Sequence, residues 1–141
     1  MHTNQMLSIA ALAQAEGCAV RTQEPLAQHT TFRIGGPAAL WVEVPTADVM
    51  AELHRACAES RVPCVVLGCG SNVLASDAGF NGVILHPAAP EFTQIAVTGG
   101  TVTAGAGAKL SALAVCARDH GLSGLEFAYG IPGSVGGAVY M

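Results

Sequence analysis

Two glycine-paired turns hold the backbone and side chains best suited to chemistry in this chain. The first is Leu67-Gly68-Cys69-Gly70-Ser71-Asn72-Val73-Leu74, into which Val65-Val66-Leu67, bounded by Pro63 and Gly68, feeds as a short buried inner strand. Glycines at 68 and 70 let backbone approach a ligand where any Cβ would collide. Successive N–H groups in such a turn form an anion-binding concavity, so phosphate or pyrophosphate is the expected guest, with Ser71 and Asn72 as added donors. A lone Gly-x-Gly is more often a strand-to-loop corner with no ligand; its company further along changes the balance. The second turn is Gly130-Ile131-Pro132-Gly133-Ser134-Val135-Gly136-Gly137-Ala138. Four glycines in eight residues argue against helix or ordinary strand and for bare backbone laid against something flat or bulky.

Other chemistries fit less well. A dinucleotide fold of the Rossmann type wants a glycine where Val73 stands, and a phosphate-binding P-loop needs Gly-Lys-Ser/Thr, whereas the only lysine, Lys109, is followed by Leu110. Ser71 and Ser134 lack a Gly-x-Ser-x-Gly context, so acyl chemistry is not indicated and hydrogen bonding to a cofactor is the better use. His2, His29, His54, His86 and His120 have no metal-ligand spacing and read as surface or strand-end residues, so no metal is expected. The five cysteines include no Cys-x-x-Cys pair and read as free thiols, mostly core filler. Glu126, in a loop between glycine clusters, either touches a ligand or caps a turn.

The elements that must position these turns follow from periodicity. Met6, Ile9, Ala10 and Ala13 recur at helical spacing up to Gly17. Residues 24–37 are irregular and end in Gly35-Gly36-Pro37, a loop suited to face a ligand. Leu40, Val42 and Val44 alternate as a half-buried strand, Thr46 caps a helix with Asp48 at its positive end, and Val49, Leu53, Ala56 and Cys57 line that helix's inner face. Strand, helix, strand from 40 to 67 reads as a right-handed parallel βαβ unit, which puts Gly68 at a strand's carboxyl end, where ligands of open α/β sheets collect. Residues 82–86 form another strand, closed by Pro87 and Pro90, and a subdomain boundary is expected between 88 and 89. Gly99-Gly100 closes a hairpin of 95–98 with 101–104, and a helix through Leu110, Leu113, Ala114 and Ala117 ends at Gly121.

Bulk properties bound the rest. The 141 residues, 51% hydrophobic, suffice for one core, while 11% charged is far below the roughly 25% usual for globular chains. A net charge of -4 with 6 Lys+Arg and no basic run argues against nucleic acid and anionic membrane surfaces. No apolar run approaches the roughly eighteen residues of a membrane span and the start lacks a basic signal segment, so a cytoplasmic protein is expected. The chain stops inside an apolar run, and the expectation is that the natural polypeptide continues, the missing C-terminal half being its own partner.

Thr31-Phe32-Arg33-Ile34-Gly35-Gly36-Pro37-Ala38, Leu67-Gly68-Cys69-Gly70-Ser71-Asn72, Ala104-Gly105-Ala106-Gly107, Gly124-Leu125-Glu126-Phe127 and the 130–138 turn, in this order and spacing, resemble the flavin-binding half of the UDP-N-acetylenolpyruvoylglucosamine reductase (UDP-N-acetylmuramate dehydrogenase, MurB) family. The resemblance runs from Pro25 to Met141. It implies an α+β, vanillyl-alcohol-oxidase-type fold whose two subdomains, 1–88 and a truncated 89–141, clasp FAD noncovalently, leaving Cys69 unattached. It implies that Gly68, Gly70, Ser71, Asn72, Val73 and Leu74, after Leu67, cradle the pyrophosphate, and that Gly130, Ile131, Pro132, Gly133, Ser134, Gly136, Gly137 and Ala138 run along the cofactor towards its rings. Ile34, Gly35, Gly105, Gly107 and Glu126 join the same implied set. The implied reaction is reduction of UDP-N-acetylenolpyruvoylglucosamine by NADPH through the flavin, for peptidoglycan synthesis. The family's catalytic serine, arginine and glutamate fall beyond Met141, so no catalytic residue is carried over and the isolated chain is expected to be inactive. The alternatives are a noncatalytic flavin-binding module and another oxidoreductase of the same fold.

Overall fold

The computed structural model describes residues 2–141. A four-stranded mixed sheet organises the first part: β1 (Ala19–Pro25), β2 (Pro37–Glu43), β3 (Cys64–Val66) and β4 (Phe80–His86), in the order β1-β2-β4-β3. α1 (His2–Ala15) precedes β1 and α2 (Ala47–Glu59) links β2 to β3. Ile9 and Ala13 of α1 are buried, and Gly17, at φ 77°, takes the left-handed backbone that ends the helix. At α2 the Val49 N–H donates to Thr46 Oγ1 at 3.3 Å, Asp48 stands in the first turn, and Leu53 and Cys57 are buried, as periodicity predicts.

The sheet corrects one expectation. β2 and β3 are parallel, but each pairs with β4 rather than with the other, Trp41 and Val65 both lying opposite Ile84. β3 is therefore an edge strand, with Val65 43% and Val66 52% exposed, not a buried inner one. β4 holds the centre because Val83, Ile84 and Leu85 are all buried and satisfy both faces, while three-residue β3 has too little ladder to do so. β1, which the sequence did not signal, pairs antiparallel with β2 as the other edge and is mostly exposed, hence its lack of apolar alternation.

The two faces of this sheet differ. Leu40, Val42, Val44, Val83 and Leu85 pack under α1 and α2. Trp41 and Ile84 point the other way, into a smaller cluster with Leu26, Ala38 and Leu67, and loops rather than helices cover that face.

A short helix, α3 (Pro90–Thr93), leads into a two-stranded sheet of β5 (Ile95–Thr98) and β6 (Thr101–Ala104), closed at Gly99-Gly100 as expected. α4 (Leu110–Asp119) lays Leu110, Leu113 and Ala114 on this hairpin, with Ala128 of a 3-10 turn at Glu126–Ala128. The glycine-rich end differs from expectation: α5 (Val135–Tyr140) is helical. Glycine in a helix costs roughly 0.5–1 kcal/mol relative to alanine. Here the first-turn donors are satisfied by tertiary partners, Val135 N–H on the Ala108 carbonyl at 2.8 Å and Gly136 N–H on Ala106 at 2.7 Å, while Ser134 Oγ accepts from Gly137 at 3.2 Å. Those bonds outweigh the intrinsic preference. Among the described residues no helix is long and apolar enough to cross a membrane.

Candidate functional site

Residues 26–36, which leave β1 through a 3-10 turn at Leu26–Gln28, run beside the 67–74 loop that follows β3. The Thr31 N–H donates to the Gly70 carbonyl at 3.0 Å. Gly70 has φ 61°, and a Cβ there would strike the His29 carbonyl. A Cβ on Gly68 would meet Ser134 Oγ, and Ser71 Oγ donates to the Pro132 carbonyl at 3.2 Å beside Gly133, which holds φ 141°. The two glycine turns that the sequence singled out separately are therefore in contact, and one clasps the other.

The reason for the glycines is corrected at the same time. The space a side chain would need at 68 and 70 is filled by the protein's own atoms, not left for a ligand. Gly35 is closed off in the same way by Ala75 Cβ, Gly105 by the Phe92 carbonyl and Gly107 by the Pro87 carbonyl, whereas nothing lies near Gly130. The side chains of Ser71 and Asn72 are engaged within the protein at its surface, Ser71 on the Pro132 carbonyl and Asn72 Nδ2 donating to Met141 Sδ at 3.3 Å. Ser134 is buried and serves as the α5 cap.

What remains for an anion is backbone. Among the described residues, none of the N–H groups from Gly68 to Leu74 donates a hydrogen bond, although the Gly70 carbonyl is engaged. Unpaired successive N–H groups at the carboxyl end of a parallel strand form an anion cradle. Ile34, Val73, Leu74, Ile131 and Ala138 are exposed around it and offer apolar contact. Glu126 takes the capping role, its Oε2 accepting the Gly124 N–H at 2.8 Å.

A cleft with lobes of about 390 and 340 Å³ opens beside this loop, both lobes meeting at Gly68, Cys69 and His86. Arg33 lines one lobe and Lys109 the other, and no carboxylate lines either. In a chain of net charge -4 this is a locally cationic hollow. Two of its lining residues rest on the buried Trp41: His29 lies on the indole with ring centroids 3.8 Å apart, and His86 stands 4.9 Å from it. His29 Nε2 pairs with Glu24 Oε1 at 2.8 Å, and this bond, with Arg21 at 3.2 Å, holds the Glu24 carboxyl below its ordinary range. The Trp41 Nε1–H is buried without a partner.

Sequence reasoning missed His29, His86, Arg33 and Lys109 as cleft residues. His29 and Arg33 stand in the 24–37 loop that was expected to face a ligand, and His86 stands at the carboxyl end of a strand directly before Pro87, whereas Lys109 carried no such signal. Cys57 and Cys64 are free thiols that line neither lobe; the hydrogen bond between them and burial push Cys57 up, while the same hydrogen bond lowers Cys64.

A flavin dinucleotide presents a diphosphate dianion and broad apolar rings, and unpaired N–H groups flanked by exposed aliphatic side chains match both. The sequence profile described as FAD binding domain matches residues 38–141. UDP-N-acetylenolpyruvoylglucosamine reductase 2 of Symbiobacterium thermophilum is 46% identical over 122 residues, 86% of this chain and 39% of that protein. The crystal structure of UDP-N-acetylenolpyruvylglucosamine reductase (MurB) from Thermus caldophilus superposes with a TM-score of 0.72 at 36% identity, covering 86% of this chain and 41% of that one. A BBE-like 1 variant from Physcomitrella patens shares the fold at a TM-score of 0.57 and 17% identity, over 79% of this chain and 26% of its own. The chain thus spans about two fifths of the length of the reductases it matches, and its mixed architecture is that of the vanillyl-alcohol-oxidase type. With the profile covering most of its length, this chain belongs to the FAD binding domain family.

Proposed function

We propose that this chain is the flavin-holding portion of a UDP-N-acetylenolpyruvoylglucosamine reductase, with residues 1–88 and 89–141 as the two sides of the clasp. The observation that carries this reading is the row of unpaired N–H groups from Gly68 to Leu74, held in place by the 130–138 turn. When bound, FAD supplies a hydride relay between NADPH and the enolpyruvyl double bond of UDP-N-acetylenolpyruvoylglucosamine, yielding UDP-N-acetylmuramate for peptidoglycan.

This chain's part is to bind and orient. The 68–74 amides receive the diphosphate, Arg33 and Lys109 neutralise it from the two lobes, and the exposed side chains of Ile34, Leu74 and Ile131 exclude water around the nucleotide. Glu126 acts by holding the Gly124 turn. Proton donation and substrate binding belong to residues outside this chain, in a cytoplasmic enzyme. A chimera tests the reading: residues 1–141 replace the matching segment of the Symbiobacterium thermophilum enzyme. Substrate-dependent NADPH oxidation at a rate within about tenfold of the parent is expected. A chimera that folds and retains FAD yet leaves NADPH unoxidised contradicts it.

A further inference from the structure

Neither the glycine turns nor the matched family profile assigns a role to His86, and its surroundings are unusual. His86 ends β4, is half buried, and lines both lobes of the cleft. Its Nδ1 lies 2.8 Å from the Leu67 carbonyl oxygen. A carbonyl only accepts, so Nδ1 carries the proton, which leaves Nε2 as the ring's other polar atom. One side of the ring is set against Trp41 and Nδ1 is held by the 67–74 loop, so the Nε2 edge is what the ring offers to the cleft.

We propose that His86 is a ligand for the anionic part of the nucleotide: as an imidazolium, its Nε2–H donates to a diphosphate oxygen while Nδ1–H stays on Leu67. This rests on the FAD reading and adds to it a residue and a condition of binding. Neutral His86 has only a lone pair at Nε2 and repels the same oxygen, so the charged form is the binding form. The surrounding charges favour an anion. Arg33 and Lys109 flank the hollow, and Glu43, the β2 residue paired with His86 in the ladder, is neutralised by Arg21 at 2.8 Å. His29 stacks on the same indole and pairs with Glu24. Cys69 is the remaining titratable group at the cleft.

The test uses the 141-residue chain, its single tryptophan reporting on the fold. FAD and riboflavin, which lacks the diphosphate, are titrated by flavin fluorescence between about pH 5.5 and 7.5, spanning the ordinary histidine range near 6.5. FAD affinity is expected to fall about tenfold across that window and riboflavin affinity to stay level, since a hydrogen bond to a charged group is worth about that factor or more. His86→Phe keeps a ring against Trp41, and His86→Gln keeps a donor for Leu67 without ionising. Both are expected to bind FAD about tenfold more weakly at the acidic end, with a flat pH profile and unaltered riboflavin affinity. Variants that match the parent chain for FAD at every pH overturn the proposal. So does an equal loss for FAD and riboflavin, which marks His86 as a prop for Leu67 only. A parent chain that takes up riboflavin but shows no preference for FAD refutes the diphosphate reading itself, as does one that takes up neither.

Discussion

Gly70 carries the tightest constraint on any single residue of the cradle, with φ 61° and no room for a Cβ against the His29 carbonyl. Gly70→Ala is expected to lower stability by about 1–3 kcal/mol, read as a reduced urea midpoint with an unchanged slope, because backbone strain and a clash with main chain add. Glu24 makes a pH prediction. Its folded-state carboxyl is depressed, chiefly by the His29 bond and then by Arg21 despite desolvation working the other way, so its stabilising contribution is complete above the ordinary value near 4.5 and is lost as pH falls through the lower folded value. Glu24→Gln is expected to flatten that acidic limb of a stability-against-pH curve measured by urea unfolding. At this scale the sequence was legible for glycines and opaque for partners. Gly68 and Gly70 stood out by type, but what fills the space around them lies at His29 and Ser134, far along the chain, and no local pattern reveals such a neighbour.

Elements with a long period or a turn of fixed chemistry were readable. Thr46 and Asp48 marked the start of α2, and Gly99-Gly100 marked the β5–β6 hairpin, because caps and two-residue turns are decided by nearest neighbours. Thr46→Ala is accordingly expected to cost about 1 kcal/mol by thermal or urea unfolding, the ordinary loss for an N-cap oxygen. Elements set by distant partners were not readable. β1 is a strand because β2 offers it an edge, β3 lies at the rim because β4 fits the centre better, and α5 is helical in spite of its glycines because Ala106 and Ala108 receive its first N–H groups. Each is a tertiary override of a local preference.

For the whole molecule, the low charged fraction has a visible counterpart. Phe32, Leu74, Phe127, Tyr129 and Ile131 are exposed by between 44 and 75%, so several of the largest apolar side chains of the loops and turns face solvent. The purified chain is expected to bind a hydrophobic dye such as ANS, and saturating FAD is expected to lower that signal; dye binding indifferent to FAD contradicts a shared surface. The fold type and the flavin-binding class were within reach of the sequence. The cationic hollow was not, since Arg33 and Lys109 converge on it from residues far apart in the chain.

The central claim is that unpaired backbone amides from Gly68 to Leu74 hold the diphosphate of FAD. Equilibrium dialysis of the purified chain against FAD, run beside a Gly70→Ala chain, tests it most directly. Retention of FAD in equimolar amount by the parent chain, with about tenfold weaker retention after the substitution, is the predicted result. A folded parent chain that emerges colourless, with FAD equal on both sides of the membrane, contradicts it.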